Sequence, residues 1–298
     1  MLSNLILLLF SISFIDTLPF KCGTDSLEDN YINLNFIEIN NKRRLQDEFR
    51  PIKIHFDFSN IKALPDIILE KSKRLMNESA SEFKKFLKMK QSEYKVDIPL
   101  EEIKQNCSLK ESEEIPENFF NTQDIIIYPL LGRLKGDTLA ASKVCVYQNN
   151  KIPRIGFIIF NTINFFYSKE GNDYLKKVII HEMTHILIFR NLTFEFLGFL
   201  NSEKNKIISP KALAMAKKHF NCDSLDGIPL ENDGGSGSAG SHWEANYMFG
   251  DYMISYENAD GQLSDITLAL FDDADFYQVE YYSGGLFKFG KNKGCAFF

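Results

Sequence analysis

His181-Glu182-Met183-Thr184-His185 follows the apolar run Val178-Ile179-Ile180 and is continued by Ile186-Leu187-Ile188-Phe189. Apolar residues on both flanks predict a buried helix, with Asn172 or Asp173 as the candidate cap at its start. Histidines four apart on a helix stand one turn above each other on the same face, so both imidazoles reach a single cation at about 2.0–2.1 Å. Glu182 lies about 100° round the helix, close enough to hydrogen-bond a water on that cation without ligating it. Two histidines and a glutamate inside an apolar helix are costly unless something satisfies them, and a metal ion does so. The pattern is that of zinc-assisted peptide hydrolysis, with two ligands and a general base supplied by one helical turn.

A catalytic zinc takes three protein ligands and leaves a fourth position open. The chain holds 5 histidines, and downstream of the motif only His219 and His242 remain. Ser209 as N-cap and Pro210 as first helical residue predict a helix ending near His219, where Lys217 and Lys218 mark a solvated C-terminus. His242 follows the run Asp233-Gly234-Gly235-Ser236-Gly237-Ser238-Ala239-Gly240-Ser241 and precedes Trp243, the single tryptophan. A glycine-rich run is commonly a flexible linker. It also permits a tight backbone path that brings a side chain across a cleft. His242 is therefore the expected third ligand.

The motif, the long insertion after it, and Gly234-Gly235-Ser236-Gly237-Ser238-Ala239-Gly240-Ser241-His242-Trp243-Glu244 together resemble the leishmanolysin-type zinc metallopeptidases of the metzincin clan. The likeness runs from about residue 50 to the end and includes Phe276-Tyr277-Gln278 and Asn292-Lys293-Gly294-Cys295-Ala296-Phe297. It implies one Zn2+ per chain held by His181, His185 and His242, with Glu182 as catalytic base. It also implies a Met-turn beneath the metal at Met253, in Gly250-Asp251-Tyr252-Met253-Ile254. The same resemblance suggests disulfides Cys107–Cys145 and Cys222–Cys295. Cys22, the fifth cysteine, resembles the family's pro-segment cysteine, whose thiolate takes the open zinc position in a latent precursor. A free or intermolecularly paired thiol is the other reading. One position departs from the metzincin pattern: Ile188 stands where that pattern has glycine. A β-branched residue resists positive φ, so either the helix runs on to about residues 190–191 or the turn is made differently.

The fold class expected is α+β. Residues 1–17 read as a signal peptide, because the apolar run Leu5-Ile6-Leu7-Leu8-Leu9-Phe10 falls short of the ~20 residues that span a bilayer. A pro-segment over 18–44 would end at the basic cluster Lys42-Arg43-Arg44. Residues 45–200 are expected to form a zincin-like N-terminal lobe, a twisted mixed sheet plus the motif helix. A smaller, loop-rich C-terminal lobe over 201–298 would carry the third histidine and the Met-turn, with the cleft between the two. Strands are expected at Pro51–Phe58, Asp124–Tyr128 and Gly156–Phe160, the last at a sheet edge where an extended substrate would pair. A helix is expected within Leu64–Lys90, and another starting at Ser264.

Secretion gives meaning to the cysteine pairs and to the glycosylation sequons at Asn77, Asn106 and Asn191. A net charge of −6 offers no basic field for nucleic acid. No later stretch is long enough for a membrane span. The expectation is a secreted or lumenal zinc endopeptidase acting on protein or peptide substrates. Its alternative is a secreted binding or adhesion protein on a weakly active or inactive metallopeptidase scaffold. A closed structural zinc site would call for four protein ligands rather than three histidines and an acid.

Overall fold

The computed structural model describes residues 21–24, 27, 30–38, 49–91, 93–136, 138–162, 165, 171–232, 240–256, 261–281 and 286–298. The expected signal peptide, the basic cluster at 42–44 and residues 233–239 of the glycine-rich run lie outside the described residues.

The elements that frame the site are, in chain order, β1 (Lys21–Cys22), β2 (Ile32–Leu34), β3 (Ile54–Phe56), α1 (Asp66–Phe86), β4 (Ile125–Gly132), β5 (Thr138–Gln148), β6 (Ile152–Asn161), α2 (Asn172–Leu187), α3 (Pro210–Phe220) and α4 (Asp265–Asp273). The main sheet runs β5–β6–β4–β3, and both β1 and β2 pair with the outer side of β5. β5 and β6 form an antiparallel hairpin, whereas β1, β2, β4 and β3 make parallel pairings. A mixed sheet with helices against it is an α+β arrangement.

The strands read as continuous apolar runs because both faces of the sheet are covered. Successive side chains alternate between the faces. Ile125, Ile127, Val144, Tyr147, Ile158 and Phe160 join the main core with Phe83 of α1 and Val178, Ile179 and Ile186 of α2. Ile126, Tyr128, Cys145, Val146, Ile155 and Phe157 face a second cluster with Ile103, Cys107 and Phe120. The expected edge position of Gly156–Phe160 is overturned: β6 lies between β5 and β4. Beyond β6 lies β5, which sequence periodicity did not mark and whose outer side is covered by β1 and β2. A Cβ on Gly156 would stand 2.7 Å from Lys143 O and 2.9 Å from Ile186 Cγ2, so glycine is what lets α2 lie close on the sheet here.

Neither predicted cap starts α2. Gly171 occupies the N-cap, and Asn172 and Asp173 lie inside the first turn, where an acidic side chain favours the helix dipole. The helix stops at Leu187, and Ile188 keeps a negative φ of −156° while its N–H reaches Thr184 O at 3.0 Å. The turn is thus made without a left-handed residue, which is why isoleucine is tolerated where a glycine was expected. Arg190 is extended, and a short helix, Asn191–Leu197, begins at once.

The main core continues past residue 200, with Ile207, Ala212, Ala216 and Phe220 packed in the same cluster as Leu268 and Phe271. Ser209 precedes α3 but does not cap it with its own side chain. Asp273 of α4 does so instead, accepting from Lys211 N at 2.8 Å and Ala212 N at 3.2 Å and from the Ser209 hydroxyl. Ser264 caps α4 as expected, accepting from Thr267 N at 3.2 Å. Disulfides join Cys107 to Cys145 (Cα–Cα 5.5 Å) and Cys222 to Cys295 (4.8 Å). Among the described residues no helix is long and apolar enough to cross a membrane.

Candidate metal centre

One turn of α2 and one loop after the insertion bring three imidazoles together. Nε2 of His185 lies 3.0 Å from Nε2 of His181 and 3.2 Å from Nε2 of His242, and the last two stand 3.3 Å apart. Three nitrogens bound tetrahedrally at zinc distances stand about 3.3–3.4 Å from one another, so the spacing fits one such ion. Cys22 Sγ is 3.5 Å from His185 Nε2, against about 3.5–3.6 Å for sulfur and nitrogen sharing a tetrahedral zinc. The four side chains are all buried, and among the described residues they form the group of metal-binding donors.

The outward-facing ring nitrogens settle the tautomers. His181 Nδ1 lies 2.5 Å from Tyr252 O and His185 Nδ1 2.6 Å from Phe189 O. A carbonyl only accepts, so Nδ1 carries the proton in both rings and Nε2 offers its lone pair inward. Burial, then the neighbouring His242, pushes His181 down to about 3. Burial and the two neighbouring histidines hold His185 well below its ordinary value. Neutral imidazole, the form a metal requires, is therefore the resident state.

The loop carrying His242 is fixed by a hydrogen-bonded chain that no motif announced. Trp243 Nε1 donates to Thr267 Oγ1 at 2.8 Å, and Thr267 Oγ1 donates to Asp251 Oδ2 at 2.7 Å. Asp251 also accepts from Met253 N at 2.7 Å and Ser264 N at 3.0 Å, while Met253 O accepts from Trp243 N at 2.8 Å. Met253 is fully buried. The turn at 251–253 thus holds His181 through the Tyr252 carbonyl and abuts His242 through Trp243. Burial pushes the Asp251 carboxyl up from its ordinary value, and its donors pull the other way.

Glu182 is wholly buried, with its two oxygens in different surroundings. Oε2 receives Ser142 Oγ at 2.7 Å and Thr24 Oγ1 at 3.0 Å, whereas Oε1 faces the Cys22 thiol at 3.4 Å. Burial raises the carboxyl above the usual range, and the Ser142, Thr24 and Cys22 donors oppose that rise. Ser142 belongs to β5, and its backbone N–H donates to Thr24 Oγ1 at 3.0 Å.

His219 is not part of the cluster. Its Nε2 lies 2.8 Å from Phe289 O and its ring stacks on Phe287 at 4.8 Å, so it is half-buried rather than solvated. Of the sequon asparagines, Asn77 is exposed on α1, Asn106 donates to Cys145 O at 2.9 Å, and Asn191 opens the short helix after α2.

Two histidines of an H-E-x-x-H helix and a third from a later loop, with the glutamate beside them under a mixed sheet, define the class: a protein whose buried centre could hold one metal ion. The family model described as Leishmanolysin matches residues 72–298, and the chain belongs to that family. It is 30% identical over 192 residues to a leishmanolysin of Leishmania donovani, covering 61% of this chain and 32% of that protein. A leishmanolysin homolog of Crithidia fasciculata is 29% identical over 198 residues, covering 62% of this chain and 30% of its own. A leishmanolysin-like peptidase of Drosophila pseudoobscura pseudoobscura is 32% identical over 134 residues, covering 44% and 20%. The chain therefore spans a third or less of the length of these relatives.

Proposed function

We propose that this chain is a secreted, zinc-dependent endopeptidase that hydrolyses peptide bonds in proteins and is made as a latent precursor. One observation carries the reading: three Nε2 atoms at tetrahedral spacing, with the Glu182 carboxylate on the same helical turn. His181, His185 and His242 hold the ion, Met253 forms the turn beneath it, and the cleft lies between residues 45–200 and 201–298. Zinc, when bound, supplies Lewis acidity toward water and the scissile carbonyl. Glu182 takes the proton of the attacking water and returns it to the leaving amine. Its raised affinity for a proton suits both halves of that exchange.

Latency rests on the N-terminal segment. Cys22 is a buried thiol outside both disulfides, at the distance from His185 that a fourth ligand would take. β1 and β2 cover the outer side of β5, the edge along which an extended substrate would add as a strand. Removal of residues 18–44, after loss of the signal at 1–17, frees both the metal position and that edge. Two disulfides and the sequons at Asn77, Asn106 and Asn191 suit a secreted chain.

The test is Glu182→Ala in the protein cleaved after Arg44. Zinc should stay, and hydrolysis of a denatured protein should drop by about 10²–10⁴-fold, the usual contribution of a general base. Unchanged turnover with zinc in place would sink the mechanism.

A further inference from the structure

We propose that Ser142 is the positioning residue for Glu182, anchoring Oε2 so that Oε1 faces the metal centre. The inference rests on the reading of Glu182 as the base. Among the described residues the carboxylate has three side-chain partners: Cys22, Thr24 and Ser142. Cys22 and Thr24 belong to the segment that leaves on activation; Ser142, on the sheet, is the one that stays.

The geometry separates the two oxygens. Ser142 Oγ is 2.7 Å from Oε2, while Oε1 is the oxygen 3.4 Å from Cys22 Sγ, itself 3.5 Å from His185 Nε2. A glutamate's terminal torsion is broad and two-fold, so without an anchor the oxygens exchange places freely. A donor on Oε2 restrains that rotation and leaves Oε1 to receive the water's proton, and the serine keeps its own hydrogen throughout.

The serine is held in turn. Its carbonyl accepts from Arg190 Nη1 at 3.1 Å, and its backbone lies opposite Ile158 in the β5–β6 hairpin. Its Oγ also stands 3.0 Å from Glu182 O, so two contacts tie this strand position to one residue of α2. A fully buried hydroxyl between Ala141 and Lys143 is costly unless it is satisfied. Glu182 satisfies it.

Ser142→Ala in the protein cleaved after Arg44, from which Cys22 and Thr24 have gone, tests the proposal. Zinc content and KM should stay near the parent's, and kcat should fall roughly 10- to 100-fold, the value of a hydrogen bond to a charged group. Urea unfolding of the metal-free proteins gives a second readout. The drop in unfolding constant caused by Ser142→Ala should shrink when Glu182 is already alanine, because the two side chains then share one lost contact. An unchanged kcat, a change in KM alone, or an equal stability penalty in both backgrounds would overturn the assignment. Full turnover by Glu182→Ala would instead remove the base itself, which distinguishes that failure from this one.

Discussion

Asp251→Ala should damage a metal site that Asp251 never touches. The substitution strips the acceptor from three donors: Met253 N at 2.7 Å, Ser264 N at 3.0 Å and Thr267 Oγ1 at 2.7 Å. A buried donor left unsatisfied costs about 1–3 kcal/mol, so the turn should lose roughly 3–9 kcal/mol, less whatever is recovered by no longer burying a carboxyl. Against a typical domain stability of about 5–15 kcal/mol, that loss is large. The damage passes to the centre because Tyr252 O orients His181 and Met253 O is bonded to Trp243, next to His242. Outer-shell losses of this kind weaken metal affinity by about 10–100-fold. Asp251→Asn should be milder: its remaining carbonyl serves Met253 N, Thr267 can reverse its hydroxyl, and chiefly the Ser264 contact is lost. Urea unfolding of chelated protein and zinc competition against a chromophoric chelator read the two effects. An alanine variant that unfolds at the parent's urea concentration and binds zinc as tightly would refute the reasoning.

Cys22→Ser should yield a full-length protein that hydrolyses a peptide too short to need the β5 edge without mercurials or cleavage after Arg44, whereas the parent needs one or the other. A serine variant that stays latent would leave the block to β1 and β2 alone. The metal-free protein should lose stability as pH falls from about 6.5 toward 3. Unfolded histidine takes up its proton near 6.5, while the folded state holds His181 neutral down to about 3. The unfolded state therefore binds more protons across that window, and stability should fall by about 1.4 kcal/mol per pH unit for each such histidine. Glu182 and Asp251, both raised by burial, act in the opposite sense, so flat stability in a protein with Glu182→Gln and Asp251→Asn would contradict a neutral His181.

Much of the site was legible because its chemistry is local. Residues of one helical turn carry two ligands and the base, and helical spacing alone puts them together. His242 could be chosen over His219 because a glycine-rich approach differs from a lysine-flanked helix end, and the structure brings His242 to the cluster. β5 escaped notice because Ala140, Ala141, Ser142 and Lys143 show neither alternation nor β-branched enrichment; they are buried through pairing with β6 and β1, which is non-local. That omission also misplaced the sheet edge. Ser142, Thr24, Asp251 and Thr267 look like ordinary polar residues, and their importance comes only from what the fold sets opposite them. One expectation was misjudged for a simpler reason: Gly171 rather than Asn172 or Asp173 precedes the helix. At Ile188 the turn is made differently, the second of the two courses expected, and with a negative φ.

Zinc content of the purified protein, measured by atomic absorption for the parent, His242→Ala and His219→Ala, tests the central claim most directly. The account predicts one zinc per chain in the parent and in His219→Ala, since His219 is engaged with Phe289 O and Phe287. In the protein cleaved after Arg44, which lacks the Cys22 thiol, it predicts loss of zinc in His242→Ala, where two nitrogens would remain. Zinc retained by that cleaved His242→Ala protein, or lost from His219→Ala with the fold intact, would contradict it.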